Sequence, residues 1–345
     1  MSFANILIIK LSAIGDVIHA LPVAGALKQQ FPQARITWVV EKPAYDLLTN
    51  NSKIDEIIIF DKPRFKSVAG LWENAPAFVS DLRSRRFDLA LDLQGLFKSA
   101  ALGFLSGAPQ RYVYCNAREG SHLLAKKVCG SNQSGHIVEQ YLDVARALGE
   151  YVREAEWAIV PTAHEQESVT VIAAQAGLSL GDPYVVLAPG ANWSNKRWPT
   201  KHFSQLADWL AAQGIKSVLT GGPGDRMLAE QIISGSQSAL VNLTGQTSLK
   251  QLAHLINCSQ ALVGGDTGPM HLAAALKIPV VALMGPTDIV RNGPYGQLHN
   301  AIAVSHSCHG CWKRACPRSI DCLADISPAT VQAKLTTLLS LRGLT

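Results

Sequence analysis

Short runs of Val, Ile and Leu recur along almost the whole chain, separated by longer amphipathic segments. A strand that is apolar on both faces is buried on both faces, so this alternation calls for parallel sheets covered by helices on either side, an α/β fold. In the first half the runs fall near residues 5–9, 35–40, 56–60, 88–92 and 111–114; in the second half they fall near 184–188, 216–220, 239–242, 260–263 and 279–283. Helices fill the gaps. The first carries Val17, Leu21, Ala24, Leu27 and Phe31 at helical spacing, with Pro22 placed early enough to bend it rather than abolish it.

A chain of 345 residues is too long for one typical core, so two domains are expected. Pro161 to His164, one helix, and then Gly181-Asp182-Pro183 separate the two sets of strands. The reading is therefore a Rossmann-like domain over 1–160, a linker over 161–182 and a second Rossmann-like domain over 183–326. Residues 327–345 close the chain with a helix near 328–341 that can pack back on the first domain. Two such domains would face each other across a cleft, with ligands at the carboxyl ends of the strands.

Charge narrows the partners. The net charge is +5 and divides evenly: 18 Lys/Arg against 16 Asp/Glu in residues 1–160, and 13 against 10 in residues 161–345. No half has the basic excess of a nucleic-acid tail. Local clusters at Lys62-Pro-Arg64-Phe-Lys66 and Arg83-Ser-Arg85-Arg86 suit an anionic small ligand, a membrane surface or simply solvent. The amino terminus lacks a basic region ahead of its apolar stretch and reads as a strand, not a signal peptide. No run reaches the ~18 apolar residues of a membrane span. Seven cysteines, an odd number in a large chain without an export signal, point to a reducing cytoplasm.

The segment Val263-Gly-Gly-Asp266-Thr267-Gly268-Pro-Met-His271 ends an apolar run at glycines and starts a helix at once. Small residues let backbone N–H groups approach a phosphate, and the positive end of the helix dipole favours negative charge there. Two further turns, Ala188-Pro-Gly190 and Thr220-Gly-Gly-Pro-Gly-Asp225, end strands of the same half. Together they suit a nucleotide whose diphosphate lies near Thr267 and whose ribose or base lies nearer Asp225 and Thr244-Gly245. His271 is either a ligand to phosphate or sugar, or a packed histidine.

The loop from Pro189 to Pro199 resembles a phosphate-binding P-loop at Gly190 and Lys196. Asn195 stands where the second glycine belongs and Arg197 where the Mg²⁺-holding hydroxyl belongs, which disfavours an ATPase. Lys196 and Arg197 are instead candidates to neutralise a diphosphate, one as a point charge and one as a fork. No G-x-G-x-x-G follows the first strand, which disfavours an NAD dehydrogenase. The turn there is Lys10-Leu-Ser-Ala-Ile-Gly15-Asp16, so Asp16 either complements a helix dipole or serves as a general base. Cys308-x2-Cys311-x4-Cys316-x5-Cys322 is spaced for a structural metal, a local disulfide or packed thiols, whereas Cys115, Cys129 and Cys258 read as lone thiols.

Taken together, Ser12 to Pro22, Asp92-Leu-Gln94-Gly95-Leu-Phe-Lys98-Ser99, Lys196-Arg197-Trp198-Pro199, Gly265 to His271 and Gly285-Pro-Thr287-Asp288 resemble glycosyltransferase family 9, the ADP-heptose:lipopolysaccharide heptosyltransferases. The Asp92 to Ser99 segment and Ala117-Arg118-Glu119 look closer to heptosyltransferase I than to heptosyltransferase II. The resemblance implies a GT-B fold and inverting, metal-independent transfer of heptose from ADP-heptose to Kdo-lipid A, with no cofactor and no nucleic-acid partner. By position it implies Asp16 as base, Lys196 on the donor diphosphate, and Asp266, Thr267 and Gly268 as the loop around the sugar diphosphate. Acceptor carboxylates and phosphates would fall to Arg64, Lys66, Lys98 and Arg118. Such a substrate places the enzyme at the inner face of the cytoplasmic membrane, in transient contact with it. The alternatives are another GT-B sugar transferase or epimerase, and a non-catalytic nucleotide-binding protein.

Overall fold

Strand β1 (Asn5–Ile9) is fully covered from Ile6 onward, as an apolar run lying between two other strands must be. The computed structural model describes residues 2–149 and 154–343, and the chain divides into two units, Met1–Val160 and Pro161–Thr345. The first unit continues through α1 (Ile14–Ala20), α2 (Pro22–Gln30), β2 (Arg35–Val40), α3 (Lys42–Leu48), β3 (Glu56–Ile59), α4 (Val68–Ser84), β4 (Leu89–Asp92), α5 (Phe97–Leu105), β5 (Gln110–Tyr114), β6 (Lys126–Val128) and α6 (Ile137–Arg146). Pro22 opens α2, and Leu21 between α1 and α2 keeps helical angles, so the chain passes from one helix to the next without an extended residue.

The six strands lie in the order β3-β2-β1-β4-β5-β6 and all neighbours are parallel. This is the doubly wound order. Connections leave β1 and β4 in opposite directions, which opens a crevice at their carboxyl ends. One core face gathers Leu7, Ile9, Val39, Ile58, Leu82, Phe87 and Leu102. Trp38 is fully buried and donates its indole N–H to the Lys10 carbonyl at 3.1 Å, so its burial leaves no polar atom unsatisfied.

Strand β6 was not anticipated. Lys126 and Lys127 are exposed at the sheet edge, so it lacks the apolar run that marks the inner strands. It also corrects the reading of two cysteines. Tyr114 pairs with Val128, so the residues that follow, Cys115 and Cys129, emerge side by side and form a disulfide.

The second unit comprises α7 (Ala163–Gln175), β7 (Tyr184–Ala188), α8 (Thr200–Ala212), β8 (Lys216–Leu219), α9 (Arg226–Gly235), β9 (Val241–Asn242), α10 (Leu249–Asn257), β10 (Ala261–Gly265), α11 (Gly268–Ala275), β11 (Val280–Met284), α12 (Ile289–Asn292), β12 (Ala301–Ala303) and α13 (Pro328–Ser340). Its all-parallel sheet runs β12-β11-β10-β7-β8-β9. Numbered within the unit from β9, that is third, second, first, fourth, fifth, sixth, the same order as in the first unit. The crevice therefore lies between β7 and β10.

Two segments sit differently from the sequence reading. Helix α7, assigned to the linker, belongs to the second unit, where Gln251 of α10 donates to Ser168 at 2.9 Å. Its start is fixed by a reciprocal cap between Thr162 and Glu165. Helix α13, free in sequence terms to return to the first domain, packs within the second: Val331, Leu335, Leu338 and Leu339 share a core with Phe203, Leu206 and Leu210 of α8. Those residues recur at helical spacing and form the stripe a neighbouring helix needs.

Candidate active site

At the crevice of the first unit, the loop after β1 carries Asp16 into the opening turn of α1. Its carboxylate accepts from the Ala13 amide at 3.2 Å and is partly exposed. The loop is pinned from beneath: the Leu11 and Ser12 amides both donate to Gln94 Oε1 at 3.1 Å. Gln94 is held in turn by Asp92 at the end of β4, whose Oδ1 accepts from the Gln94 and Gly95 amides at 3.0 Å and whose Oδ2 lies 3.0 Å from the Ser99 hydroxyl. Burial pushes the Asp92 carboxyl up to about 6, against the pull of those hydrogen bonds and of Lys10. Lys10 is buried and donates to the Leu93 carbonyl at 3.1 Å and to the Tyr141 hydroxyl at 2.8 Å. The two loops of the crevice are thus one hydrogen-bonded body. Asp92, Lys10 and Tyr141 had been given no role from sequence, although Asp92 and Gln94 stand in the quoted motif.

Gly95 joins a third loop. It has φ +70°, a Cβ there would meet the Tyr114 ring, and its carbonyl accepts from the Arg118 amide at 2.8 Å. Arg118 therefore stands, exposed, on a loop tied to the one that holds Asp16. Lys98 pairs with Glu41 at 3.4 Å, and the Glu41 amide donates to the Leu11 carbonyl. Arg64 pairs with Asp61 at 2.9 Å and Lys66 is exposed, both beyond β3. All four candidate acceptor cations thus follow carboxyl ends of strands. Arg118 and Lys98 are linked to the Asp16 loop, whereas Arg64 and Lys66 stand on a separate segment.

At the crevice of the second unit, β10 ends in Gly264-Gly265 and delivers Asp266, which is almost wholly buried. Its Oδ2 accepts from Lys196 Nζ at 2.6 Å and its Oδ1 lies 2.8 Å from His271 Nε2. Burial alone would raise this carboxyl, but His271 and Lys196 outweigh it and hold the group well below the usual carboxylate range. Lys196 comes from the loop after β7, 70 residues earlier, and its ammonium lies 4.4 Å from the Trp193 ring centre. Only glycine fits at 265, where a Cβ would collide with the Lys196 carbonyl. His271, open in sequence terms, is turned onto Asp266.

Thr267 precedes α11, whose opening turn keeps the Gly268 and Met270 N–H groups as donors for an anion, since Pro269 has none and the His271 amide donates to the Thr267 carbonyl. Arg197 donates from Nε to the Ala191 carbonyl at 2.8 Å, bracing its own loop. Asp225 accepts from the Gly222 amide at 2.9 Å and packs against Gly190, tying the turn after β8 to the loop after β7. Thr244 is buried, its amide donates to Asn242 Oδ1 at 3.0 Å, and its hydroxyl has no partner among the described residues. Gly245, at φ +72°, lies against Pro223. These residues all rim one carboxyl edge.

The four clustered cysteines are free thiols, three partly exposed and Cys322 buried. Burial first, then the nearness of Cys316, Cys311 and Cys308, raises the Cys322 thiol, so the four do gather in one place. Among the described residues, however, no three His, Cys, Asp or Glu side chains are arranged to hold a metal ion.

Two parallel sheets of this order, each with its charged residues at the crevice, form the GT-B fold. *Escherichia coli* heptosyltransferase WaaC, solved with ADP, matches the chain with a TM-score of 0.76 at 25% identity, over 97% of this chain and 99% of that one. Within that class, the model of glycosyltransferase family 9 (heptosyltransferase) matches residues 76–320, and the chain belongs to this family. It is 29% identical to lipopolysaccharide heptosyltransferase 2 of *Salmonella typhimurium* over 351 residues, covering 98% of this chain and 99% of that protein. It is also 29% identical to lipopolysaccharide heptosyltransferase 1 of *Escherichia coli* K12 over 306 residues, covering 85% and 91%. Equal identity to the two types does not separate them.

Proposed function

We propose that this glycosyltransferase moves L-glycero-D-manno-heptose from ADP-heptose to Kdo-lipid A in lipopolysaccharide core assembly, by one inverting displacement. The carrying observation is that the residues singled out as base and diphosphate ligand, Asp16 and Lys196, each stand at the crevice of a doubly wound sheet. Asp16 takes the proton from the acceptor hydroxyl as it attacks the anomeric carbon, and ADP leaves from the opposite face. Charge growing on the diphosphate is met by Lys196 and the opening amides of α11, with Asp266 fixing the lysine in place. This supply of positive charge supports transfer without a divalent ion. Asp225, Thr244, Gly245 and Arg197 shape the nucleotide end, and Arg118, Lys98, Arg64 and Lys66 meet the acceptor anions. The substrate puts the enzyme at the inner face of the cytoplasmic membrane, peripherally bound.

Asp16→Asn should lower kcat by about 10² to 10⁴ while ADP binding, read by calorimetry, is unchanged. Normal turnover in that variant, or loss of turnover on adding EDTA to wild type, would overturn the corresponding part of the reading.

A further inference from the structure

Helix α4 has two apolar stripes where a surface helix needs one. Its inner stripe packs: Phe78 meets the rings of Phe60 and Phe65 edge-on at 5.7 and 5.6 Å, and Leu82 is fully buried. The other stripe lies in its first turns and faces outward, with Val68 74% exposed, Leu71 49% and Trp72 78%. Single exposed apolar residues are ordinary, but three within five positions, one of them tryptophan, form a patch that water does not favour.

The charge beside this patch says what covers it. Lys62, Arg64 and Lys66 lie exposed on the short turn that leads into α4, and no carboxylate occurs between residues 62 and 72. Asp61, paired with Arg64, and Glu73 bound the segment. A hydrophobic groove on a protein partner would not call for three cations at the rim. Tryptophan and aliphatic side chains flanked by Lys and Arg match the layering of an anionic bilayer, in which phosphates overlie the acyl boundary. Among the described residues no helix is long and apolar enough to cross a membrane, so this contact would lie on the surface.

We propose that residues 62–72 dock on an anionic lipid bilayer, with Val68, Leu71 and Trp72 entering the headgroup–acyl boundary and the three cations meeting lipid phosphates. The contact rests on the peripheral membrane association of the proposed function and shares Arg64 and Lys66 with the acceptor, but binding to vesicles free of donor and acceptor can fail without touching the transfer step.

The test uses the full chain with neither donor nor acceptor present. In sedimentation with vesicles, wild type should bind phosphatidylcholine containing phosphatidylglycerol and not phosphatidylcholine alone. Leu71→Ser combined with Trp72→Ser should weaken that binding about tenfold or more, and Lys62→Glu should weaken it in a salt-dependent way. Brominated lipids should quench wild-type emission more than that of Trp72→Phe. These side chains are exposed, so circular dichroism of the variants should match wild type. Failure of wild type to bind the anionic vesicles, or equal binding by the double variant, overturns the proposal. So does binding that appears only when the vesicles carry the lipid-borne acceptor, which would make the patch part of acceptor recognition.

Discussion

The proposed function sets Lys196 on the donor diphosphate, and Asp266 fixes its ammonium in one place. The pair is 2.6 Å apart and nearly dry, so removing one partner strands a buried charge. Lys196→Ala should therefore cost about 10² to 10³ in kcat and also lower the melting temperature. Restored turnover in Lys196→Arg would show that charge alone suffices, whereas a planar fork that cannot seat against Asp266 should rescue poorly. Asp92 behaves in the opposite sense. Its folded carboxyl titrates at about 6, above the unfolded value of about 3.9, so the folded state holds the extra proton between those limits. Its contribution to stability falls as pH rises through that window, while groups held low, such as Asp266, lose theirs only as pH drops below it. Urea unfolding below and above the window should show Asp92→Asn with a flatter pH dependence than wild type. None of this pairing was visible in sequence, where Asp266 and Lys196 are far apart and Asp92 is one aspartate at the end of an apolar run.

Inner strands were legible because burial on both faces leaves a continuous apolar run, and the glycine turns after β7, β8 and β10 because phosphate-ready backbone needs small residues. Of the four edge strands, β3 and β9 were legible and β6 and β12 were not. β6 and β12 are three residues each, and β6 carries two lysines, as an edge that must resist further pairing should. Missing β6 hid the neighbouring cysteines, since only register brings 115 beside 129. This crosslink closes a 14-residue separation around the loop that bears Arg118. Cys115→Ser should destabilise the first unit by roughly 3 kcal/mol, read by thermal unfolding with and without reductant. Wild type melting identically in the two conditions would argue that the bond does not form.

Each half of the molecule repeats one strand order, and the proposed function gives the acceptor to the first unit and the donor to the second. In hydrogen exchange on the full chain, ADP should protect residues 189–197, 222–226 and 264–272 and leave residues 5–16 and 92–99 unchanged. Protection centred on the first unit would reverse the assignment. The topology also gives the first sheet a second rim, opposite its crevice. At the amino ends of the strands, Asp88 Oδ2 accepts the Ala4 and Asn5 amides at 2.7 and 2.8 Å, fastening chain rather than substrate. A fluorophore or an affinity handle attached at that rim should leave turnover unchanged, since it lies at the strand ends opposite the crevice.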